Sequence, residues 1–412
     1  MPLPLALSGL PDAPSETAAV ELVEAWLRAE LAPEWVRAID ASDPVALFAL
    51  REDDALSTAW FSKLGPTGLS TAAWPVAYGG LGLPRARAQT IGRTLAKYGA
   101  GPPLKYFTGL NHAGPTVLDC GDEVQRVRFL PPLARGEEIW CQLFSEPGAG
   151  SDLAGVATRA RREGDNWIIT GQKVWTSYAR QSDYAILLAR SDPDKPKHQG
   201  LTFFILDMRL PGIEIRPIKQ ITGMAEFNQV FLDEVIVPDS LRVGGVDNGW
   251  RVATSTMLSE RAGLGNQPGE TADVAAKLLA RVAADPESEP AILDQAVALR
   301  LREIALNLVM ARVAHDARAG TPGPEGAIGK VCRSELSQAV SELGVAGAGL
   351  GGLDWKPRDM GSPAAALLVT RAATVAGGSS EMQRNIIGER VLGLPKDPGV
   401  DPRTPWRDLR RS

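Results

Sequence analysis

The spacing of apolar residues divides the chain into helical and strand-like regions. From about residue 16 to 133 the apolar positions recur at helical intervals, most clearly over 18–31, which is rich in Ala, Leu and Glu. Between residues 136 and 245 the segments become short, are rich in β-branched and aromatic residues, and are bounded by turns. This pattern predicts strands at 167–171, 184–189, 201–206, 212–217 and 229–237.

Helical spacing returns after Asn248-Gly249. We predict helices at 250–263, 271–284, 290–319, 326–343 and 363–376. Their apolar faces suit an antiparallel four-helix bundle. The sequence therefore predicts an α+β chain with a helical domain at 1–135, a β-barrel-like domain at 136–245, a helical bundle at 246–395 and a tail at 396–412.

Smaller features set the expected ends of these regions. We expect Pro131-Pro132 and Gly136 to end the first helical region, since proline and glycine interrupt helices. Residues 1–10 are apolar but lack a basic segment and are too short to span a bilayer, so we expect a loose leader. We expect Arg407, Arg410 and Arg411 to lie in a solvated tail.

Composition narrows the classes of function. The chain has 412 residues, which is too long for one core, and its net charge of −5 comes with no basic stripe that would favour nucleic acid. Cys120, Cys141 and Cys332 are scattered without metal or redox spacing, which is typical of a protein in a reducing cytoplasm. The three histidines are also isolated. We therefore expect no metal site, no Ser-His-Asp triad and no membrane insertion.

One run of small residues has the composition of a ligand-binding turn. An apolar segment starting at Trp140 passes into Gly148-Ala149-Gly150 and ends in Ser151-Asp152. Gly148 and Gly150 can adopt backbone angles that cost other residues steric energy. Such a turn directs backbone N–H groups at an anion or a ring carbonyl. An ordinary strand-to-loop corner has the same composition, so the run alone leaves both interpretations open.

A second glycine pattern is rejected as a dinucleotide site. Residues 347–352 satisfy G-x-G-x-x-G, but that fingerprint requires a strand before it and a helix after it. Here a predicted helix precedes it and Leu353-Asp354-Trp355 follows. We expect a turn of the bundle.

Three motifs in order give the chain a family resemblance. The run from Trp140 to Asp152 is followed by Trp175-Thr176-Ser177, and then by a segment from Gly378 to Arg384 with Glu389-Arg390 behind it. Together with a loop at 74–82, they resemble the acyl-CoA dehydrogenase family over about residues 53–396. The order of helical domain, β domain and helical bundle is also that of the family.

The resemblance implies FAD as cofactor, because no side chain accepts hydride. By resemblance, Phe144 and Ser145 would lie against the isoalloxazine and Trp175 would stack on it. Ser177 stands where the family usually has threonine near flavin N5. The remaining implied cofactor contacts are Gly150, Ser151, Ser379 and Glu381.

The catalytic base departs from the commonest family position. Alignment on Gly378-Ser379 places Gly377 where many members carry the glutamate, and glycine cannot accept a proton. The isovaleryl-CoA dehydrogenase branch carries its glutamate before an arginine on the first bundle helix, and this chain has Glu260-Arg261 there. The resemblance thus implies that Glu260 abstracts the α-proton and that hydride passes to flavin N5. A solvated Glu-Arg pair is the alternative.

The resemblance also implies a set of substrate contacts. Ser151, Arg261 and Gly377 would bind substrate, the last through its backbone N–H on the thioester carbonyl. Arg261 would orient Glu260 or the end of the substrate.

Two segments differ from the family pattern. Residues 283–290 replace an Arg-x-x-Phe-Gly segment that grips the partner subunit's flavin, which is similar to actinobacterial members that act on sterol side chains as paired subunits. Residues 263–269 contain a proline and glycines that interrupt helices. We expect either a wider pocket there or a plain interhelix loop.

The function that the resemblance implies is dehydrogenation of an acyl-CoA thioester. The implied partners are acyl-CoA, an electron-transfer flavoprotein, and further subunits in a homodimer, a homotetramer or a heterotetramer with a related chain. Two alternatives stay open: a catalytically silent subunit that completes a partner's site, and an oxidase-like flavoenzyme that reacts with oxygen. A carrier-protein thioester in place of CoA also stays open.

Overall fold

The structure, a computed structural model, describes residues 3–264, 273–318, 324–357, 361–396, 399 and 401–409. The chain forms two compact units. The first comprises Met1–Ile218, Ala225–Pro268 and Val400–Ser412, and the second comprises Lys219–Met224 and Gly269–Gly399. The predicted boundaries at 136, 246 and 396 stay predictions. Among the described residues, no helix combines the length and the apolarity that crossing a membrane requires.

Helices build the beginning of the first unit, as predicted. They are α1 (Glu16–Glu30), α2 (Pro33–Asp40), α3 (Pro44–Glu52), α4 (Asp54–Leu64), α5 (Arg85–Lys97), α6 (Gly114–Cys120) and α7 (Glu123–Arg135). The expectation of a loose leader is wrong, because Leu7 and Leu10 are fully buried in the same core as Trp26 and Trp60. Burial of two leucine side chains stabilises this segment by several kcal/mol, at about 1.5–3 kcal/mol each.

The first helical region ends at Gly136, as predicted, but the two prolines do not end helix α7. Pro131 and Pro132 lie inside it, and it ends at Gly136, whose φ of 72° is left-handed. Proline removes a helical hydrogen bond. Here the buried face containing Phe129 and Leu130 outweighs that loss.

One mixed sheet follows the helices. Its strands are β1 (Trp140–Leu143), β2 (Arg159–Glu163), β3 (Asn166–Ser177), β4 (Tyr184–Arg190), β5 (Leu201–Asp207), β6 (Ile213–Pro217), β7 (Phe227–Pro238) and β8 (Arg242–Val243). The strand order is β6-β7-β3-β2-β4-β5-β8, and β1 pairs in parallel with β4. The five predicted strands are confirmed. Sequence spacing missed β1 and β8, which are short, and β2, whose sequence Arg-Ala-Arg-Arg-Glu has no apolar alternation.

Helix α8 (Gly249–Leu264) is fixed to the first unit along one face. Val252, Ala253 and Thr256 are fully buried on that face. The Thr256 hydroxyl lies 2.8 Å from the hydroxyl of Thr116 in α6. Gly249 approaches β5 so closely that a Cβ there would lie 2.7 Å from a backbone carbon of Thr202. The helix is therefore held in place over its first two turns.

The second unit is helical. It contains α9 (Val274–Ala284), α10 (Pro290–Arg318), α11 (Gly326–Gly347), α12 (Pro363–Thr370) and α13 (Ser380–Ile386). The helix predicted for 363–376 is shorter than expected, since a 3-10 turn replaces it over Arg371–Thr374. Buried Glu303 accepts hydrogen bonds from the first amides of α9, Ala275 N at 3.0 Å and Ala276 N at 3.1 Å. A carboxylate at a helix N-terminus stabilises both partners.

The tail is docked through Trp406 and its backbone, which corrects the expectation of a solvated tail, although the Arg407 side chain is exposed as expected. Trp406 is buried, and its backbone N–H donates to the carbonyl of Lys195 at 2.9 Å. The Arg407 backbone N–H donates to Pro193 O at 3.1 Å. Arg410 and Arg411 lie outside the described residues.

Candidate active site

Strand β3 runs beside the exit from β1 and brings two predicted flavin motifs together. The backbone N–H of Val174 donates to the Ser145 carbonyl at 2.9 Å. The Phe144 ring is buried edge-to-face against Phe203, with centroids 5.7 Å apart. Ser145 is half-buried, and this backbone hydrogen bond places it beside Val174, the residue before Trp175. The first unit thus places Phe144 and Ser145 next to the Trp175 segment.

Trp175 is held outward on a strained backbone. The β3–β7 register shifts between Lys173 and Thr176, and at this bulge Trp175 has a φ of 60°. The left-handed region costs a residue with a Cβ roughly 1–2 kcal/mol. The side chain is 60% exposed, and its ring contacts Phe227 edge-on at 6.2 Å. Strain that presents a large aromatic ring to solvent is a feature of ligand-binding sites.

Ser177 lies two residues beyond that ring. It is half-buried and pairs with Phe227 in the β3–β7 ladder. The buried Thr176 hydroxyl between them has no hydrogen-bond partner within the described part of the chain. The motif therefore contains one exposed ring, one accessible hydroxyl and one orphaned hydroxyl on consecutive residues.

The glycines of the turn do not use the wider range of backbone angles that is open to them. Neither Gly148 nor Gly150 has a positive φ. A Cβ on either would meet no protein atom within 4 Å. The chain's own packing thus leaves both positions open, and Ser151 beside them is exposed. The surface of the turn has room for a flat or phosphorylated ligand to approach its backbone.

A buried ion pair anchors the start of the turn, and sequence reasoning missed it. Fully buried Lys173 donates through Nζ to Glu146 Oε1 at 2.8 Å, to Phe144 O at 2.9 Å and to Leu188 O at 2.8 Å. Glu146 also accepts from the backbone N–H groups of Ala157 at 2.6 Å and Thr158 at 2.9 Å. All three ammonium protons are therefore used. Lys173 belongs to the same set of alternate residues in β3 as buried Trp167 and Ile169. A lysine among these apolar positions was the one sign in the sequence that a buried ion pair could form here.

Burial and charge act in opposite directions on this pair. Burial raises the pKa of Glu146, but the Lys173 ammonium and the amide donors outweigh it and leave that pKa below its usual value. Burial lowers the pKa of Lys173, and the Glu146 carboxylate opposes that shift. The contact between the two side chains fixes Glu146 at the base of the turn.

The predicted base lies on α8, but its side chain lies outside the described residues. The same holds for the side chain of Arg261 and for residues 265–272, which include most of the predicted helix break. Helical spacing places position 260 one turn after Thr256, beyond the fixed part of α8. The role of Glu260 stays a prediction.

The second unit contains the remaining motif. Gly377 and Gly378 have φ values of 64° and 90°. Ser379 caps α13 by accepting from the Met382 backbone N–H at 3.3 Å. Hydrogen bonds from its own backbone amide and from the Ser379 hydroxyl hold the pKa of Glu381 below its usual range. A glutamate at position 377 would have to adopt the left-handed angle, so the backbone itself favours glycine there.

The G-x-G-x-x-G run at residues 347–352 lies at the end of a helix. Helix α11 runs to Gly347 and is followed by a 3-10 turn at Gly349–Leu353, which confirms that G-x-G-x-x-G here is no strand-to-helix fingerprint. Among the residues that the structure describes, no group of three or more His, Cys, Asp or Glu side chains is placed to hold a metal ion.

Comparison with known proteins agrees with the geometry. Three family models match in order: the acyl-CoA dehydrogenase N-terminal domain at 14–137, the middle domain at 141–235 and the C-terminal domain at 247–392. The chain is 37% identical to the acyl-CoA dehydrogenase IpdE1 of Mycobacterium tuberculosis over 91% of this chain and 97% of IpdE1. It is 41% identical to the acyl-CoA dehydrogenase FadE34 of the same organism over 81% of this chain, but that match spans only 46% of FadE34.

A solved structure has the same fold. The Tcur3481-Tcur3483 steroid ACAD matches with a TM-score of 0.78 and 25% identity, over 92% of this chain and 98% of that chain. Acyl-CoA dehydrogenases are oxidoreductases that act on CH–CH groups and are generally FAD-dependent flavoproteins. With all three domains matched in order and the expected arrangement of helices and sheet, the chain belongs to the acyl-CoA dehydrogenase family.

Proposed function

We propose that this chain is an FAD-dependent dehydrogenase that converts an acyl-CoA thioester to its α,β-enoyl thioester. The observation that carries the proposal is Trp175, an exposed ring on a strained bulge that lies beside Ser145 at the family's flavin motif. A protein that used this tryptophan only for packing would gain nothing from exposing it at the cost of backbone strain.

The residues present fit the flavin. Phe144 and Ser145 lie beside the strand segment that contains Trp175 and Ser177, and the open turn at Gly150 and Ser151 suits the phosphate side of the cofactor. By family position, Ser379 and Glu381 are also proposed as FAD contacts. When bound, FAD supplies the acceptor for the hydride that leaves the substrate β-carbon.

The chain's own residues carry out the proton chemistry. Glu260 takes the proton from the α-carbon, and the Gly377 N–H donates to the thioester carbonyl, which makes that proton more acidic. Arg261 orients Glu260 or the substrate. Support comes from the left-handed φ at Gly377, which disfavours a carboxylate at the commoner family position, and from the anchoring of α8.

Anaerobic titration of the purified protein with acyl-CoA esters tests the proposal. We expect a yellow protein whose visible flavin absorbance bleaches with substrate. The panel contains straight-chain, branched and bulky acyl groups. We propose a bulky or branched acyl group, because the helix break predicted at 263–269 would widen the pocket and because the fold neighbour is a steroid ACAD. A strict preference for short straight chains would contradict that part.

A silent subunit is the second candidate. The glycine at 377 and the absence of Arg-x-x-Phe-Gly at 283–290 favour it, whereas the exposed Trp175 opposes it. A colourless protein that binds no added FAD would support the silent subunit. Stoichiometric hydrogen peroxide during aerobic turnover would instead support an oxidase. A carrier-protein thioester is tested as one further member of the substrate panel.

We also propose an assembly of subunits, supported by an apolar seam on α10. One face of that helix is buried inside the second unit at Ala296, Leu299, Glu303 and Leu306. On the opposite face Val297, Leu301, Ile304 and Leu308 repeat at spacings of four, three and four, and they are exposed. A helix with apolar residues on two opposite faces normally has both of these faces covered. The exposed seam has the spacing of a coiled coil and therefore suits packing against another helix.

The seam suits pairing with an antiparallel copy of itself. If the two copies cross between residues 302 and 303, Val297 lies opposite Leu308 and Leu301 lies opposite Ile304. The same register brings Asp294 of one helix near Arg312 of the other. A related subunit in a heterotetramer could present an equivalent helix, and light scattering of the purified chain alone separates the two assemblies. We propose an electron-transfer flavoprotein as acceptor and the cytoplasm as location.

A further inference from the structure

The C-terminal segment packs against the far end of the predicted flavin turn. Trp406 is buried, and its indole Nε1–H donates to the carbonyl of Gly155 at 3.2 Å. A bridge between Pro405 and Pro196 and the backbone bond from Trp406 to Lys195 fix the segment at the β4–β5 loop. The segment 401–409 is therefore part of the surface that supports the turn, although sequence spacing suggested a solvated tail.

A buried arginine lies under the Trp406 ring. Arg190, at the end of β4, is 2% exposed, and its guanidinium carbon lies 4.7 Å from the Trp406 ring centroid. It donates to the Ala154 carbonyl at 2.5 Å and to the Lys197 carbonyl at 2.9 Å. Burial lowers the pKa of Arg190 to about 10, which leaves it charged at neutral pH. A buried cation is costly unless hydrogen bonds and a π-face compensate it.

The turn is consequently held at both ends and open in the middle. Glu146 and Lys173 fix its start, and Arg190 with Trp406 fix Ala154 and Gly155 at its finish. Lys197 adds an ion pair to Asp152 at 2.8 Å, partly exposed. Between these anchors the turn around Gly150 and Ser151 makes few contacts of its own.

We propose that Trp406 and Arg190 are positioning residues that set the geometry of the turn at Gly150 and Ser151. The expected effect on FAD binding rests on the proposed function, because that turn is where flavin and substrate would bind. Trp406 acts by covering the guanidinium of Arg190. This keeps water from the hydrogen bonds that Arg190 donates and holds the carbonyls of Ala154 and Lys197 in place. Both residues act through the turn and do not touch the reacting atoms.

Three variants separate positioning from general stability. Trp406→Ala removes both the ring and the Nε1–H donor. Trp406→Phe keeps an aromatic face over Arg190 but loses the bond to Gly155. Arg407→Ala is the matched control, because Arg407 is the next residue and its side chain pairs with Asp194 rather than with the turn.

Hydrogen exchange and flavin titration provide the two readouts. In Trp406→Ala we expect faster exchange of amides 148–157, with β4 and β5 unchanged, and FAD binding weaker by roughly tenfold, the order expected from losing one hydrogen bond and one cation–π contact. Trp406→Phe is expected to recover most of the affinity. Arg407→Ala is expected to behave as the parent.

Exchange is measured without flavin, so it judges the positioning role even if the chain binds none. Unchanged exchange at 148–157 in Trp406→Ala would overturn the inference. Equal loosening of β4 and β5 would assign Trp406 a general structural role and overturn it too. Failure of every protein, including the parent, to bind FAD would instead count against the proposed function.

Discussion

The Glu146–Lys173 pair makes the most quantitative prediction about the site. Lys173→Met removes an ammonium that donates to three oxygens and leaves a buried carboxylate with two backbone donors. Breaking a buried pair by removing one partner costs about 3–5 kcal/mol. We expect a loss of that size in the free energy of opening β1 and β3.

The control is a surface pair of the same type. Lys63 and Glu30 lie 3.1 Å apart and are roughly half exposed. Lys63→Met is expected to cost no more than about 1 kcal/mol. The double variant Lys173→Met with Glu146→Gln removes the unpaired charge, so it is expected to be less destabilised than Lys173→Met alone.

The pH dependence gives the pair a second signature. In the parent, the depressed pKa of Glu146 gives stability that is present above its ordinary value of 4.5 and is lost as pH falls below it. In Lys173→Met, burial without a cation raises that pKa. The variant then loses stability as pH rises above the ordinary value. The gap between parent and variant therefore widens from acid to neutral pH.

Native-state hydrogen exchange at β1 and β3 is the suitable assay, because it reports the opening of individual strands and does not require the two compact units to unfold in a single transition. A loss in Lys173→Met as small as in Lys63→Met would refute the reasoning. So would a parent–variant gap that does not change with pH. The reasoning would also be contradicted if the loss of stability in the double variant equalled the sum of the losses in Lys173→Met and in Glu146→Gln.

Three further predictions follow from strain and from the seam. Trp175→Gly is expected to relieve roughly 1–2 kcal/mol of backbone strain and to be more stable than Trp175→Ala, while both bind FAD about tenfold more weakly, as titration would show. Gly377→Ala is expected to lower the melting temperature through a strain of about 1 kcal/mol, whereas Gly351→Ala, at a negative φ with open space, is not. Leu301→Glu is expected to dissociate the assembly in light scattering, and Arg302→Glu on the same helix is not; a parent that is already monomeric would contradict the proposed seam.

Sequence spacing predicted the architecture well because long helices and alternating strands carry strong periodic signals. Helix α10 and strand β7 were found within a few residues of their observed ends. Strand β2 was missed because only one of its five residues is apolar. It forms a strand because it pairs with β3, and that pairing leaves no pattern in the sequence. The tail was misjudged because a single tryptophan, Trp406, carries its docking.

The sequence proposes the positions of the candidate site but not the conformation of its residues. Motif order located Trp175 and Ser177, yet no pattern indicated the left-handed backbone that turns the ring outward. Composition likewise does not show that the glycines of the turn leave open space instead of adopting left-handed angles. The Glu146–Lys173 pair joins residues far apart in the chain, and only the sheet register brings them together.

The claim that Glu260 is the base of an acyl-CoA dehydrogenase has one direct test. FAD-loaded parent and Glu260→Gln proteins are mixed anaerobically with the best acyl-CoA ester of the panel, and bleaching of the visible flavin absorbance is followed in time. Glu289→Gln, the same change at an exposed glutamate, serves as control. We predict normal flavin content in all three proteins, rapid bleaching in the parent and control, and no bleaching in Glu260→Gln. Near-normal bleaching in Glu260→Gln would contradict the account.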